Sequence, residues 1–144
     1  MSGESVRILV PFDGSANAER ALRFALDLAK AAPGARVEIA NVQLTVGGAV
    51  SMFINKADIK DYHRDEGMKT LAPAIAIAKN SGVPHAHHIG VGQPGPTIAA
   101  FAKQLKCTQI VMGTRGLGAA LGLLMGSVAT DVIHDSDVPV TLVK

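Results

Sequence analysis

Apolar runs of strand length alternate with apolar residues at helical spacing from one end of the chain to the other. Residues 6–12 (VRILVPF) form the first run, and Asp13-Gly14-Ser15 ends it. Ser15 is placed to cap a helix. After it Ala18, Ala21, Leu22, Ala25, Leu28 and Ala29 recur at helical spacing until Pro33-Gly34. Residues 35–42 predict a second strand, and 44–55, glycine-containing and without a clear period, predict a loop. A long helix is predicted over 56–80, with Met68, Leu71, Ile75 and Ala78 on its later apolar side and Gly82 closing it. Pro73 lies inside that pattern and is expected to kink or divide the helix, since an interior proline costs about 3 kcal/mol. Residues 83–91 make a third strand. Pro96 then stands in the first turn of a helix whose buried side is Ile98, Phe101, Ala102 and Leu105. A fourth strand over 108–113 (TQIVMG), a glycine-rich loop, a short helix over 127–134 and a fifth strand over 138–143 (VPVTLV) complete the pattern.

Strands alternating with helices predict an α/β fold, a mainly parallel five-stranded sheet with helices on both faces. No repeat, low-complexity tract or linker interrupts the sequence, so one domain over 1–144 is expected. Hydrophobic residues make up 48% of the chain but include only four Phe, one Tyr and no Trp. The core is therefore Ala, Val, Ile and Leu, as parallel sheets covered by helices require.

The net charge of +2 gives no sign of a nucleic-acid binder. Its distribution says more. Residues 67–130 contain no Asp or Glu, yet carry Lys69, Lys79, Lys103, Lys106 and Arg115, which together suit an anionic ligand. Taken singly, the lysines read as solvated helix faces. The lone Cys107 excludes an internal disulfide and reads as a buried, inert thiol. No signal peptide is recognisable, and the apolar stretch 116–129 is short and glycine-rich for a membrane span, so a cytoplasmic setting without a membrane partner is expected.

In open sheets of this kind, ligands bind outside the carboxyl ends of the strands where strand order reverses. If the first and fourth strands are neighbours there, Asp13-Gly14-Ser15 and the loop beginning at Gly113 face one crevice. That loop reads Gly113-Thr114-Arg115-Gly116, nine residues, then Gly126-Ser127 opening a helix. Glycine lets backbone N–H groups approach an anion, a helix N-terminus adds unsatisfied donors and a positive dipole end, and Arg115 offers a charged fork. Charge-assisted bonds of about 1.5–3 kcal/mol each, with adenine burial, reach the roughly 8 kcal/mol of micromolar affinity.

Gly-x-x-Gly, nine residues, Gly-Ser resembles the signature of ATP-binding universal stress proteins. VPFDGS with its Ala-rich helix, Ala40-Asn41-Val42, the loop from Gly90 to Gly95 and the closing VPVTLVK are similar to that family along nearly the whole chain. The resemblance implies a Rossmann-like, adenine nucleotide alpha hydrolase-like fold with strand order 3-2-1-4-5. It also implies a homodimer through the fifth strand, Val138 to Val143, with ATP, accompanied by Mg2+, as the ligand. By the same resemblance Pro11 and Asp13 belong to the nucleotide site, Asp13 contacting the adenosine part, and Val42 pairs with adenine through its backbone. Gly113, Gly116, Gly126 and Ser127 hold ribose and phosphates. Thr114 and Arg115 are added on chemical grounds.

Other motifs carry less. Gly90-x-Gly92-x-x-Gly95 matches a dinucleotide fingerprint, but it follows the third strand, contains Pro94 and has no acid some twenty residues on, so it reads as a structural turn. No lysine precedes a Ser or Thr in the glycine loop, so there is no Walker A motif. His85 and His87 share a strand face, His88 takes the other, and no metal set is evident. Ser15 reads as a cap rather than a nucleophile, and His134 with Asp135 and Asp137 as a helix end. With no catalytic constellation, the function expected is a dimeric, ATP-binding stress-response regulator with little or no rapid hydrolysis. The alternatives are a slow ATPase or nucleotide-transferring enzyme, and a protein-binding dimer that no longer uses nucleotide.

Overall fold

The computed structural model describes residues 5–46, 55–116 and 125–144. Among the described residues five parallel strands and four helices alternate: β1 (Arg7–Pro11), α1 (Ala16–Lys30), β2 (Arg36–Gln43), α2 (Lys56–Ser81), β3 (His85–Val91), α3 (Pro94–Gln104), β4 (Gln109–Gly113), α4 (Ser127–Asp135) and β5 (Val140–Val143). The sheet order is β3-β2-β1-β4-β5, the order the resemblance implied.

Strand alternation divides the core in two. Ile8, Val10, Val37, Ile39 and Val111 point to the face covered by α1 and α2, where Ala21, Leu22, Ala25, Leu71 and Ala74 meet them. Leu9, Ala40, Ile110 and Met112 point to the opposite face, against Ile98 and Ala102 of α3 and Ala129 and Val132 of α4. Each fully buried Leu or Ile contributes about 1.5–3 kcal/mol. Alanines on the helices let them lie close to the sheet, and Phe12 and the partly buried Phe101 add aromatic packing to the two halves.

One detail narrows the sequence expectation, the helix being undivided at Pro73, and another differs from it. α2 runs as one helix through Pro73. Pro73 is solvent-exposed, so the carbonyl of Lys69, which loses its donor, faces water rather than the core. β3 and β5 each begin two residues later than their apolar runs, because Pro84 and Pro139 lie just before them and contribute only carbonyls, accepting from Val37 N–H and Ile110 N–H. The predicted loop over 44–55 lies outside the described residues for 47–54, as does 117–124 of the glycine-rich segment.

Candidate functional site

The strand order reverses between the parallel neighbours β1 and β4, and a cavity opens at their carboxyl ends. β1 runs into Asp13-Gly14, where Gly14 takes φ +87°, a left-handed conformation that favours glycine. Asp13 Oδ1 accepts the Ser15 N–H (2.9 Å), and Ser15 Oγ accepts the Ala18 N–H (3.0 Å), capping α1. Ser15 is therefore a helix cap, as its place before the Ala-rich stripe suggested.

Across the cavity, β4 delivers the glycine loop. Thr114 N–H donates to Val143 O (3.0 Å), and Gly126 N–H donates to Thr114 O (2.6 Å), so the two ends of the loop are joined at Thr114. Arg115 N–H donates to Asn17 Oδ1 (2.7 Å), while Asn17 Nδ2 donates to Val143 O (2.8 Å). Gly113 leaves the room that this carboxamide uses: a Cβ there would lie 2.5 Å from Asn17 Oδ1. Gly116 does the same for the Asp13 carboxylate. Gly126 is different. Its φ is −77°, and a Cβ would stand 3.4 Å from Arg115 Cα, an ordinary contact.

Gly126 is the N-cap of α4 and offers no capping side chain. The N–H groups of Ser127, Val128 and Ala129 have no partner within the helix, and these three residues line the cavity. No acidic residue stands in this first turn. α1 and α2, by contrast, are capped by Ser15 and Asn55. The positive end of the α4 dipole is thus directed at the cavity, as an anion site requires.

β2 supplies the opposite wall. Phe12 N–H donates to Ala40 O (2.8 Å), so Ala40 turns its main chain toward β1. Two residues on, Val42 turns its N–H and C=O the same way, past the end of β1. The next rung of the ladder would join Val42 N–H to Phe12 O. That carbonyl is held by Asn41 Nδ2 (2.9 Å), and Asn41 is itself braced by Gln43 Nε2 (2.6 Å). Val42 therefore presents a donor and an acceptor to the cavity, above an apolar floor that includes Ala40, Ile98 and Met112.

The cavity measures about 390 Å³, within the range of small-molecule sites. Pro11, Asp13, Val42, Gly113, Thr114, Arg115, Gly116, Gly126 and Ser127 all line it. The other basic residues of the acid-free stretch do not. Lys69 and Lys103 are exposed and pair with Glu66 and Asp137 on the surface.

The remaining motifs serve the fold. A Cβ at Gly90 would strike Phe101, and one at Gly95 would strike Asp131, so these glycines let α3 approach β3 and α4. His88 Nε2 meets Glu38 Oε1 (3.0 Å) on the α3 face, Arg36 Nε holds the other oxygen of that buried carboxylate (2.7 Å), and β3 is an edge strand. Among the described residues no three His, Cys, Asp or Glu gather as a metal set. Burial, with a smaller contribution from Glu38, pushes the Cys107 thiol up to about 11, so it is inert at neutral pH. His134 is raised by its hydrogen bond to Asp135, at the exposed end of α4.

Asn17 escapes the motif reading, and Asn41 entered it only within Ala40-Asn41-Val42, without its bond to the Phe12 carbonyl. Asn17 carried one usable signal. It stands four residues before Ala21 on the buried stripe of α1, and a polar side chain there must find partners.

A doubly wound parallel sheet with an uncapped helix and a glycine loop at its reversal point belongs to the Rossmann-like class of nucleotide-binding folds. Residues 5–144 match the model of the universal stress protein family, and the chain belongs to that family. A universal stress protein of Thermus aquaticus is 35% identical over 139 residues, covering 95% of this chain and 97% of its own. The structure of a universal stress protein from Archaeoglobus fulgidus in complex with dAMP is 31% identical, with a TM-score of 0.69 and 96% and 98% of the two chains covered. A universal stress protein in complex with cAMP is 28% identical, with a TM-score of 0.74 and 97% of each chain covered.

Proposed function

We propose that this chain binds ATP in the cavity at the ends of β1, β2 and β4 and acts as a nucleotide-dependent regulator of stress response, with little or no rapid hydrolysis. The observation that carries the reading is the meeting of two unlike surfaces in one hollow. The main-chain donor and acceptor of Val42 suit an adenine edge, and the open α4 N-terminus with Arg115 suits phosphates. The dAMP and cAMP held by the two family structures support an adenine nucleotide as the ligand class.

In this reading Val42 and the apolar floor bind the base and exclude water from it. Asp13 and Pro11 border the adenosine part, and Gly113, Thr114, Gly116, Gly126 and Ser127 form the ribose and phosphate cradle. Mg2+ would be held mainly by the phosphates, with Asp13 the carboxylate beside the loop. Phosphoryl transfer needs a base or metal-binding acids placed at the phosphates, and among the described residues Asp13 is the sole acidic one lining the cavity. Binding outlasts chemistry in such a site. ATP occupancy then shifts the population of a homodimer formed through β5, one of the two edges of the sheet, in the cytoplasm. Among the described residues no helix is long and apolar enough to cross a membrane.

The test is to denature purified protein, identify the nucleotide released, and follow labelled ATP. Retained or titratable ATP, with turnover far below the about 10 per second typical of enzymes, is expected. Steady rapid turnover would replace the regulator with an enzyme, and a site that neither retains nor takes up nucleotide would remove the reading.

A further inference from the structure

One carboxamide touches both the glycine loop and the edge strand of the sheet. Asn17 lies in the first turn of α1 and is 8% exposed. Its Oδ1 holds the Arg115 N–H at 2.7 Å, and its Nδ2 holds the Val143 carbonyl at 2.8 Å. The same carbonyl accepts the Thr114 N–H at 3.0 Å. Gly113 keeps the space for this bridge open, since a side chain there would meet Asn17 first. Two main-chain N–H groups of the loop, those of Thr114 and Arg115, are therefore tied to the end of β5 through one buried side chain and one carbonyl.

We propose that Asn17 is a positioning residue that transmits occupancy of the glycine loop to β5. The inference rests on the nucleotide reading above and names how that site is regulated. An amide has one rigid plane, so its donor and acceptor ends move together. A ligand that fixes the Arg115 and Gly116 main chain fixes Oδ1, and with it the Nδ2 bond to the end of β5. In the empty protein the same carboxamide follows the loop, and the Val143 carbonyl loses one of its two donors more often. β5 is only four residues long and sits at the sheet edge with β4 its one strand neighbour, so small changes in its anchoring are felt along its length. Linkage makes the effect reciprocal. Whatever docks on the β5 edge raises nucleotide affinity by the factor with which nucleotide favours docking.

Arg20 provides an internal comparison. It lies one helical turn beyond Asn17 on α1, and its Nε donates to Lys144 O at 2.9 Å, while among the described residues it makes no hydrogen bond to the loop. It anchors the same strand end without joining it to the cavity.

The experiment is hydrogen exchange of the peptide covering residues 138–144, without ATP and at saturating ATP. It is run for wild type, Asn17→Ala, Asn17→Asp and Arg20→Ala, with ATP affinity measured in each. In wild type ATP is expected to slow exchange of this peptide by about fivefold, the effect of one hydrogen bond. Asn17→Ala is expected to weaken ATP binding about tenfold and, at saturation, to abolish the ATP-dependent slowing. Asn17→Asp keeps an acceptor for Arg115 but loses the donor to Val143, and it too is expected to lose the slowing. Arg20→Ala is expected to speed exchange in both states and to keep the ATP-dependent difference. Wild type that binds ATP with unchanged exchange at 138–144 would overturn the proposal while leaving the nucleotide site standing. Equal loss of the slowing in the Arg20 and Asn17 variants would do so too, by reducing Asn17 to a general anchor. Wild type that fails to bind ATP at millimolar concentration would overturn the site and the proposal together.

Discussion

The Asp13 carboxylate occupies the space that a side chain at Gly116 would fill. The loop after β1 and the loop after β4 thus touch across the mouth of the cavity, and the glycine requirement at 116 comes from a neighbouring side chain as much as from a ligand. Gly116→Ala is expected to displace Asp13 and weaken ATP binding at least about fivefold, the worth of one disturbed hydrogen bond. Gly126→Ala is expected to bind within about twofold of wild type, because the added methyl makes only ordinary van der Waals contacts. Calorimetric titration of the two variants checks the contrast. Equal losses would mean that the ligand, rather than Asp13, sets both positions.

Among the described residues Arg115 is the only basic one lining the cavity, and its side chain is exposed. Arg115→Gln is expected to weaken ATP about tenfold, the low end for a charge-assisted bond because solvent screens it. Adenosine, which lacks phosphates, is expected to bind the variant and wild type alike. Competition titrations with ATP and adenosine separate the two.

Ser15 caps α1 through the Ala18 N–H. Ser15→Ala is expected to cost about 1 kcal/mol of stability, a fall in Tm of about 3 °C for a chain of this size. Any slow ATP hydrolysis should be unchanged. A thermal melt and a turnover assay on the same sample check both halves; loss of hydrolysis with an unchanged Tm would restore Ser15 as a nucleophile.

The Cys107 thiol sits at about 11 in the folded chain against 9.0 when free, raised by burial first and by Glu38 second. Between those values the unfolded chain has given up a proton that the folded chain still holds. The thiol's contribution to stability is therefore fully present below pH 9.0 and is lost as pH rises to about 11. Wild type is expected to lose stability relative to Cys107→Ala across that window, as followed by urea unfolding at a series of pH values. A constant difference between the two proteins would contradict the buried, protonated thiol.

The five strands and four helices of the described residues were readable from the sequence, because β1, β4 and β5 are apolar runs, an alanine stripe marks α1, and glycines and prolines punctuate the rest. The points of disagreement have local causes. Pro73 bends the expectation only if its freed carbonyl is buried, and exposure is not written in a proline. The nine positions named from the sequence line one cavity because the carboxyl ends of β1, β2 and β4 and the start of α4 meet there. Asn17 and Asn41 were harder. Their meaning lies in bonds to Arg115, Val143 and Phe12, residues far away in sequence. The partner of His88 was equally invisible, since Glu38 reaches it from the neighbouring strand.

The most direct measurement is a crystal structure of the protein soaked in millimolar ATP. The expected density has adenine against the Val42 main chain and phosphates at the amides of Gly116 and Ser127, with Arg115 turned toward them. An empty hollow, or nucleotide bound elsewhere on the molecule, would contradict the assignment of this cavity as an ATP site.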